Sequence, residues 1–238
     1  MRFASEVQNR ILKEISVEQN ETGAYGCSLP ANELGGDFFE LALHDDQLFA
    51  SIGDISGHSF GAGLLMTMTK SALQTHLQYN RDPSKIMDAL NTMMMSQTDR
   101  AMYATMTMLK VDLQTQKATL SNAGHLPIIQ IKENSKEITY RHIKGIGLGI
   151  SAGAEYSNIE FSVNKGDLLI LYSDGLIETR DEEMMIRDSD FFEEIIIENL
   201  KAGSLSQKDR ALNLIERVRE TDYSKEMEDD CTIIVIRV

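Results

Sequence analysis

Four short acidic motifs carry the chemistry that this sequence could perform: Gly35-Gly36-Asp37, Gly53-Asp54-Ile55-Ser56-Gly57-His58, Ser173-Asp174-Gly175 and Asp229-Asp230-Cys231-Thr232. Three of the four set an aspartate next to glycine, and each lies at the end of an apolar run. Tight backbone of this kind lets the main chain approach an ion, and a short carboxylate loses little rotamer freedom on binding one. Oxygen ligands without a cysteine set or paired histidines suit Mg2+ or Mn2+ better than zinc. Taken singly, each motif also reads as an ordinary turn. The aspartates Asp37, Asp54, Asp174 and Asp229 are separated by 17, 120 and 55 residues. One site therefore requires a fold that draws strands from both halves of the chain together.

Other chemistries find no support. The 23 Lys and Arg residues against 37 Asp and Glu residues leave a net charge of −14, and no basic stripe is present to hold a phosphate backbone. The excess acid suits cation binding but equally serves solubility. There is no Gly-x4-Gly-Lys-Ser/Thr nucleotide loop and no Cys-x5-Arg phosphate loop. Cys27 and Cys231 lie in apolar, strand-like surroundings, which marks them as buried thiols of a reducing compartment. The opening residues lack the apolar centre of a secretory leader, and no apolar run approaches the roughly 18 residues of a membrane span. The expectation is a soluble, cytoplasmic protein without nucleic-acid or membrane partners.

The elements that must position these aspartates follow from periodicity. Val7, Ile11, Leu12 and Ile15 fall at helical spacing behind Ser5, a candidate N-cap, so an amphipathic helix is expected over residues 5–15. Strands are expected at 25–31, 37–43 and 47–55, then helices at 61–79 and 83–97, the second with Pro83 in its first turn. Strands resume at 104–113, 117–123, 127–132, 138–143, 156–163 and 167–172. Helices at 190–200 and 206–221 and a strand at 231–238 complete the chain. Nine of the 13 methionines lie between Met66 and Met108, where they read as adaptable core filling. Strands and helices do not alternate, so a parallel doubly wound sheet fits badly. The order predicts an α+β fold, a four-layer α/β/β/α sandwich with two central, mainly antiparallel sheets. Residues 1–20 are expected to form an N-terminal helix or connector, and 21–238 the folded domain.

The segments PANELGGDFFE, GDISGHSFGAGLL, SNAGHLPII, GDLLILYSDGLIE and DDCTIIVI, in this order and spacing, resemble the SpoIIE-like and RsbU-like branch of the protein phosphatase 2C (PPM) family. The resemblance implies a protein serine/threonine phosphatase that uses two divalent metal ions, Mn2+ or Mg2+. It implies that Asp37 and Asp54 bind the metals, with Asp54 bridging them, that Ile55 offers its backbone carbonyl, and that Asp174 and Asp229 complete the set. Asp230 is the neighbour most easily confused with Asp229. It also implies a phosphorylated partner protein, typically an anti-sigma-factor antagonist or related STAS-domain protein in a partner-switching circuit. An upstream sensory or receiver domain and a homodimer through the first helix are further expectations of this kind.

His58, four residues after Asp54, is a candidate proton donor, or else a residue that caps the next helix or lines the groove. In larger members of the family the corresponding histidine stands two residues after the bridging aspartate, where this chain has Ser56. Asn122, Gly124 and His125 belong to the family pattern and read as turn-shaping residues. Gly147 replaces the proline of the family's Gly-x-Pro-Leu-Gly loop within residues 145–149. No arginine before Asp37 matches the phosphate-binding arginine of the eukaryotic-type branch. The acidic segment 178–194 holds 8 acidic residues and reads as a solvated loop. Two alternatives compete with a phosphatase. A pseudophosphatase would keep the fold as a regulatory binding module. A GGDEF-type cyclase is disfavoured because Phe38 stands where that signature needs an acid.

Overall fold

The computed structural model describes residues 8, 10–31, 35–57, 60–97, 102–180, 189–203, 205–222 and 229–238. Eleven strands among them form two sheets, and all pairings within the sheets are antiparallel. The first sheet orders β1 (Ile15–Gln19), β2 (Thr22–Leu29), β11 (Cys231–Arg237), β10 (Leu168–Tyr172), β7 (Ile128–Ile131) and β8 (Ile138–Arg141). The second orders β3 (Asp37–His44), β4 (Gln47–Ile55), β5 (Ala104–Asp112), β6 (Lys117–Ala123) and β9 (Ile159–Ser162).

Helices α1 (Phe60–Tyr79) and α2 (Pro83–Gln97) cover the outer face of the second sheet, while α3 (Ser189–Lys201) and α4 (Gln207–Thr221) cover the first. The result is the four-layer α/β/β/α sandwich that the element order predicts. Local chemistry sets the helix starts. Asp82 Oδ1 accepts from Ser84 N–H (3.0 Å) ahead of Pro83, and Ser206 Oγ accepts from Asp209 N–H (3.1 Å).

Strands covered on both faces alternate between two cores. Along β11, Ile234 and Ile236 enter the space between the sheets, while Ile233 and Val235 face α3 and α4. Along β10, Leu169 and Leu171 point inward and Leu168, Ile170 and Tyr172 outward. Each of the four apolar β11 side chains is wholly buried, which stabilises the fold by roughly 1.5–3 kcal/mol apiece.

The N-terminal expectation needs correction. Helical conformation ends at Ile11, with Leu12 N–H donating to Gln8 O (2.9 Å), and Ile15 opens β1 instead of closing a helix. Ile15 and Val17 also satisfy a strand's period of two, and Asn20, at φ 55°, turns the chain into β2. His58 and residues 181–188 of the acidic segment lie outside the described residues. Among those described, no helix is long and apolar enough to cross a membrane.

Candidate metal centre

All four aspartate motifs sit on strands or strand ends that meet at one edge of the sandwich, and register fixes the relation of the first two. Asp37, the first residue of β3, pairs directly with Asp54 near the end of β4, and Asp54 pairs in turn with Thr105 on β5. Directly opposed residues of antiparallel strands share a face, so this row projects together toward the first sheet. There β10 ends and β11 begins side by side. Asp174 follows β10 in a single 3-10 turn (Asp174–Leu176), and Asp229 and Asp230 precede β11.

Asp37 is buried and anchored. Thr232 Oγ1, on β11, donates to Asp37 Oδ2 (2.5 Å) and lies 2.8 Å from Ser28 Oγ. Ser173 ties the two strands beneath: its N–H donates to Thr232 O (3.0 Å), and its hydroxyl accepts from Thr232 N–H (2.9 Å).

The adjacent aspartates Asp229 and Asp230 divide their duties. Asp230 is buried, and its Oδ1 accepts from Ala31 N–H (2.8 Å) and its Oδ2 from Asp37 N–H (3.3 Å). That carboxylate is therefore engaged in holding the loop that enters β3. Asp229 is only half-buried, and its Oδ1 accepts from Asp230 N–H (2.7 Å).

The electrostatics follow from this crowding. Burial, then the charges of Asp174, Asp229 and Asp230, push Asp54 up to about 7. Burial and the charges of Asp54 and Asp230 raise Asp37 well above the usual carboxylate range, against the pull of the Thr232 and Ser173 hydroxyls. Burial raises Asp174 as well, helped by Asp229 and Glu178. Four carboxylates thus hold protons more tightly than free aspartate does, Asp230 being the fourth.

Glycine keeps the centre open. A Cβ on Gly36 would stand 2.5 Å from Asp54 Oδ1 and 2.6 Å from Ile55 O, so both oxygens border one small space that any side chain would fill. Among the described residues no three acidic, histidine or cysteine side chains are gathered closely enough to hold an ion as they stand. The all-oxygen donor set and the open space beside Gly36 fit a hard divalent cation.

The neighbouring residues brace this end. Asn122 Oδ1 accepts from His125 N–H (3.0 Å) while its Nδ2 donates to His125 O (2.9 Å) and Thr107 Oγ1 (2.8 Å). His125 Nδ1 lies 2.8 Å from Thr105 Oγ1, and burial lowers the ring to about 4, so it is neutral near pH 7. Cys27 and Cys231 are buried free thiols, raised by burial to about 11 and about 12. Neither is a nucleophile at neutral pH. Thr105, Gln8 and the clamping duty of Asp230 had no signature in the sequence.

Two sheets stacked between helix pairs, with acidic strand ends at one edge, define the fold of the PPM, or protein phosphatase 2C, phosphatases. The chain belongs to the Stage II sporulation protein E (SpoIIE) family, whose profile matches residues 44–238. Phosphoserine phosphatase RsbU of Bacillus subtilis is 24% identical over 237 residues, covering 100% of this chain and 69% of RsbU. Phosphoserine phosphatase RsbP of the same organism is 21% identical, and the chain spans 57% of its length. Among solved structures, the SiaA-PP2C domain of Pseudomonas aeruginosa superposes with a TM-score of 0.82 at 18% identity, over 100% of this chain and 95% of that one. RsbX in complex with magnesium gives a TM-score of 0.70 at 19% identity, over 94% of this chain and 99% of that one. Family and fold together make the chain a protein serine/threonine phosphatase.

Proposed function

We propose that Asp37, Asp54, Asp174 and Asp229, with the carbonyl of Ile55, hold two divalent cations, Mn2+ or Mg2+, with Asp54 between them. The proposed reaction is hydrolysis of phosphoserine or phosphothreonine on a partner protein. One observation carries the reading: carboxylates far apart in sequence meet at one edge of the sandwich, where burial and mutual repulsion leave Asp54 at about 7. Among the described residues no positive charge offsets this cluster, and hard cations are what an all-oxygen site accepts. Bound there, they would lower the pKa of a water and offset charge growing on the phosphoryl oxygens during in-line attack.

The chain's own residues do the positioning. Thr232 fixes the Asp37 carboxylate, Asp230 fixes the backbone that presents it, and Gly36 keeps the approach clear. Asp229 rather than Asp230 is the proposed ligand because Asp230 already serves backbone N–H groups. His58, four residues after Asp54, is the proposed proton donor or groove residue. The proposed partner is an anti-sigma-factor antagonist or related STAS-domain regulator, as the family resemblance implies; the relatives RsbU and RsbP are named phosphoserine phosphatases.

The test is phosphate release from a phosphoserine-bearing STAS-domain protein in the presence of Mn2+. Asp54→Asn should lose more than the roughly 10–100-fold that outer-shell changes cost. Full activity in D54N would overturn the ligand assignment. Mn2+ binding without turnover on any phosphoprotein would leave a regulatory binding module in place of an enzyme.

A further inference from the structure

We infer that Gln8 is a positioning residue of the metal centre, acting on Asp37 through the backbone of Gly35; this rests on the metal-site reading above. Gln8 is buried, with 4% of its surface exposed, although it lies in the N-terminal segment ahead of the sheet. Its side-chain amide makes two bonds to one residue 27 positions away. Nε2 donates to Gly35 O (2.7 Å), and Oε1 accepts from Gly35 N–H (3.2 Å). Gly35 offers one donor and one acceptor, so this orientation of the amide is the one that satisfies both.

The opposite side of Gly35 is closed by Asp230. A Cβ on Gly35 would fall 1.9 Å from Asp230 Oδ2, and that same oxygen accepts from Asp37 N–H. The segment 35–37 is therefore gripped between an amide and a carboxylate from the two ends of the chain. Gly36 adds no side chain of its own to stiffen it. Without Gln8, one face of a two-glycine segment loses both of its fixed bonds, and Asp37 and the space beside Gly36 lose their fixed placement. Outer-shell partners of this kind commonly set metal affinity by about 10–100-fold.

The test compares the full chain with Gln8→Met, which keeps the buried volume and loses both bonds, and Gln8→Glu, which keeps the acceptor for Gly35 N–H. Amide hydrogen exchange is followed across residues 35–41, and Mn2+ binding is measured by calorimetry. Q8M should speed exchange in that segment and weaken Mn2+ binding about tenfold or more, with Q8E intermediate. The melting temperature without metal, which reports global folding, should move by only a few degrees. Unchanged exchange in 35–41 overturns the inference whether or not the wild type binds Mn2+. Equal acceleration throughout the chain, in both variants, overturns it too by making Gln8 a general stability residue. Failure of the wild type to bind Mn2+ would instead overturn the metal reading, and is seen separately in the calorimetry.

Discussion

Asp37 and Asp54 face each other across the open end of the β3–β4 hairpin, one held by a hydroxyl and the other crowded by three further carboxylates. The pairing has a consequence for the metal-free protein. Asp54 titrates at about 7 in the fold against 3.8 ordinarily. Between those values the folded chain keeps a proton that the unfolded chain has released, so stability falls as pH rises. The penalty is absent below the unfolded value and complete above the folded one. Asp37, Asp174 and Asp230 shift in the same direction.

His125 runs the other way. Its value falls from 6.5 to about 4, so its cost appears as pH drops through that interval and is absent above it. Above about pH 6.5 the His125 cost is gone while the carboxylate cost is still growing, and the metal-free melting temperature should fall on going to about pH 8.5. D54N should flatten that slope. Mn2+ should raise the melting temperature more at the higher pH, because ligands must give up protons to bind it. A metal-free melting temperature that rises over this interval would contradict the arrangement.

The two neighbouring aspartates before β11 should separate cleanly. Asp230→Asn keeps the shape but weakens bonds to the N–H groups of Ala31 and Asp37, and should cost about 1–3 kcal/mol in urea unfolding. Asp229→Asn should leave metal-free stability within about 0.5 kcal/mol, or raise it, since one repelling charge is gone. Its loss should appear in Mn2+ affinity. If D230N bound Mn2+ poorly while D229N bound it normally, the assignment would be reversed.

Part of this was legible in advance. Aspartates beside glycine at the ends of apolar runs marked the ligand candidates, and short continuous apolar runs such as that of β11 marked the strands that carry them. The N-terminus was ambiguous because Ile11, Leu12 and Ile15 fit a helix while Ile15 and Val17 fit a strand. Pairing with β2 decided it, and pairing is not a local property. The family pattern favours Asp229 over Asp230, but the physical difference between them, which one meets the loop before Asp37, is not local to the sequence. Gln8 was invisible for a similar reason: nothing in a lone glutamine announces a partner at Gly35.

Thr232 offers a finer probe of the centre. Its hydroxyl donates to Asp37 and meets Ser28, so Thr232→Val preserves shape while leaving a buried carboxylate short of a bond. The cost should be about 1–3 kcal/mol. Mn2+ affinity should fall as Asp37 gains rotamer freedom. Thr232→Ser retains the donor and should restore most of the affinity. Equal behaviour of T232V and T232S in a Mn2+ titration would show that the hydroxyl does not orient Asp37.

A second buried contact fixes β3 from its other face. Lys70 of α1 is 1% exposed; its ammonium donates to Phe39 O, pairs with Glu40 Oε2 (3.3 Å) and sits 4.9 Å from the centre of the Phe39 ring. Gln74 Nε2 completes the group by donating to Glu40 Oε2 (2.8 Å). Burial lowers the Lys70 pKa, and Glu40 opposes that shift. Removing one partner of such a pair strands the other charge, so Lys70→Ala should destabilise the chain by about 3–5 kcal/mol. Removing both charges should not. Lys70→Met combined with Glu40→Gln keeps the volume and the Gln74 contact, and should recover most of the lost stability in urea unfolding. A double variant as unstable as K70A would mean that the ion pair itself, and not the stranded charge, holds α1 against β3.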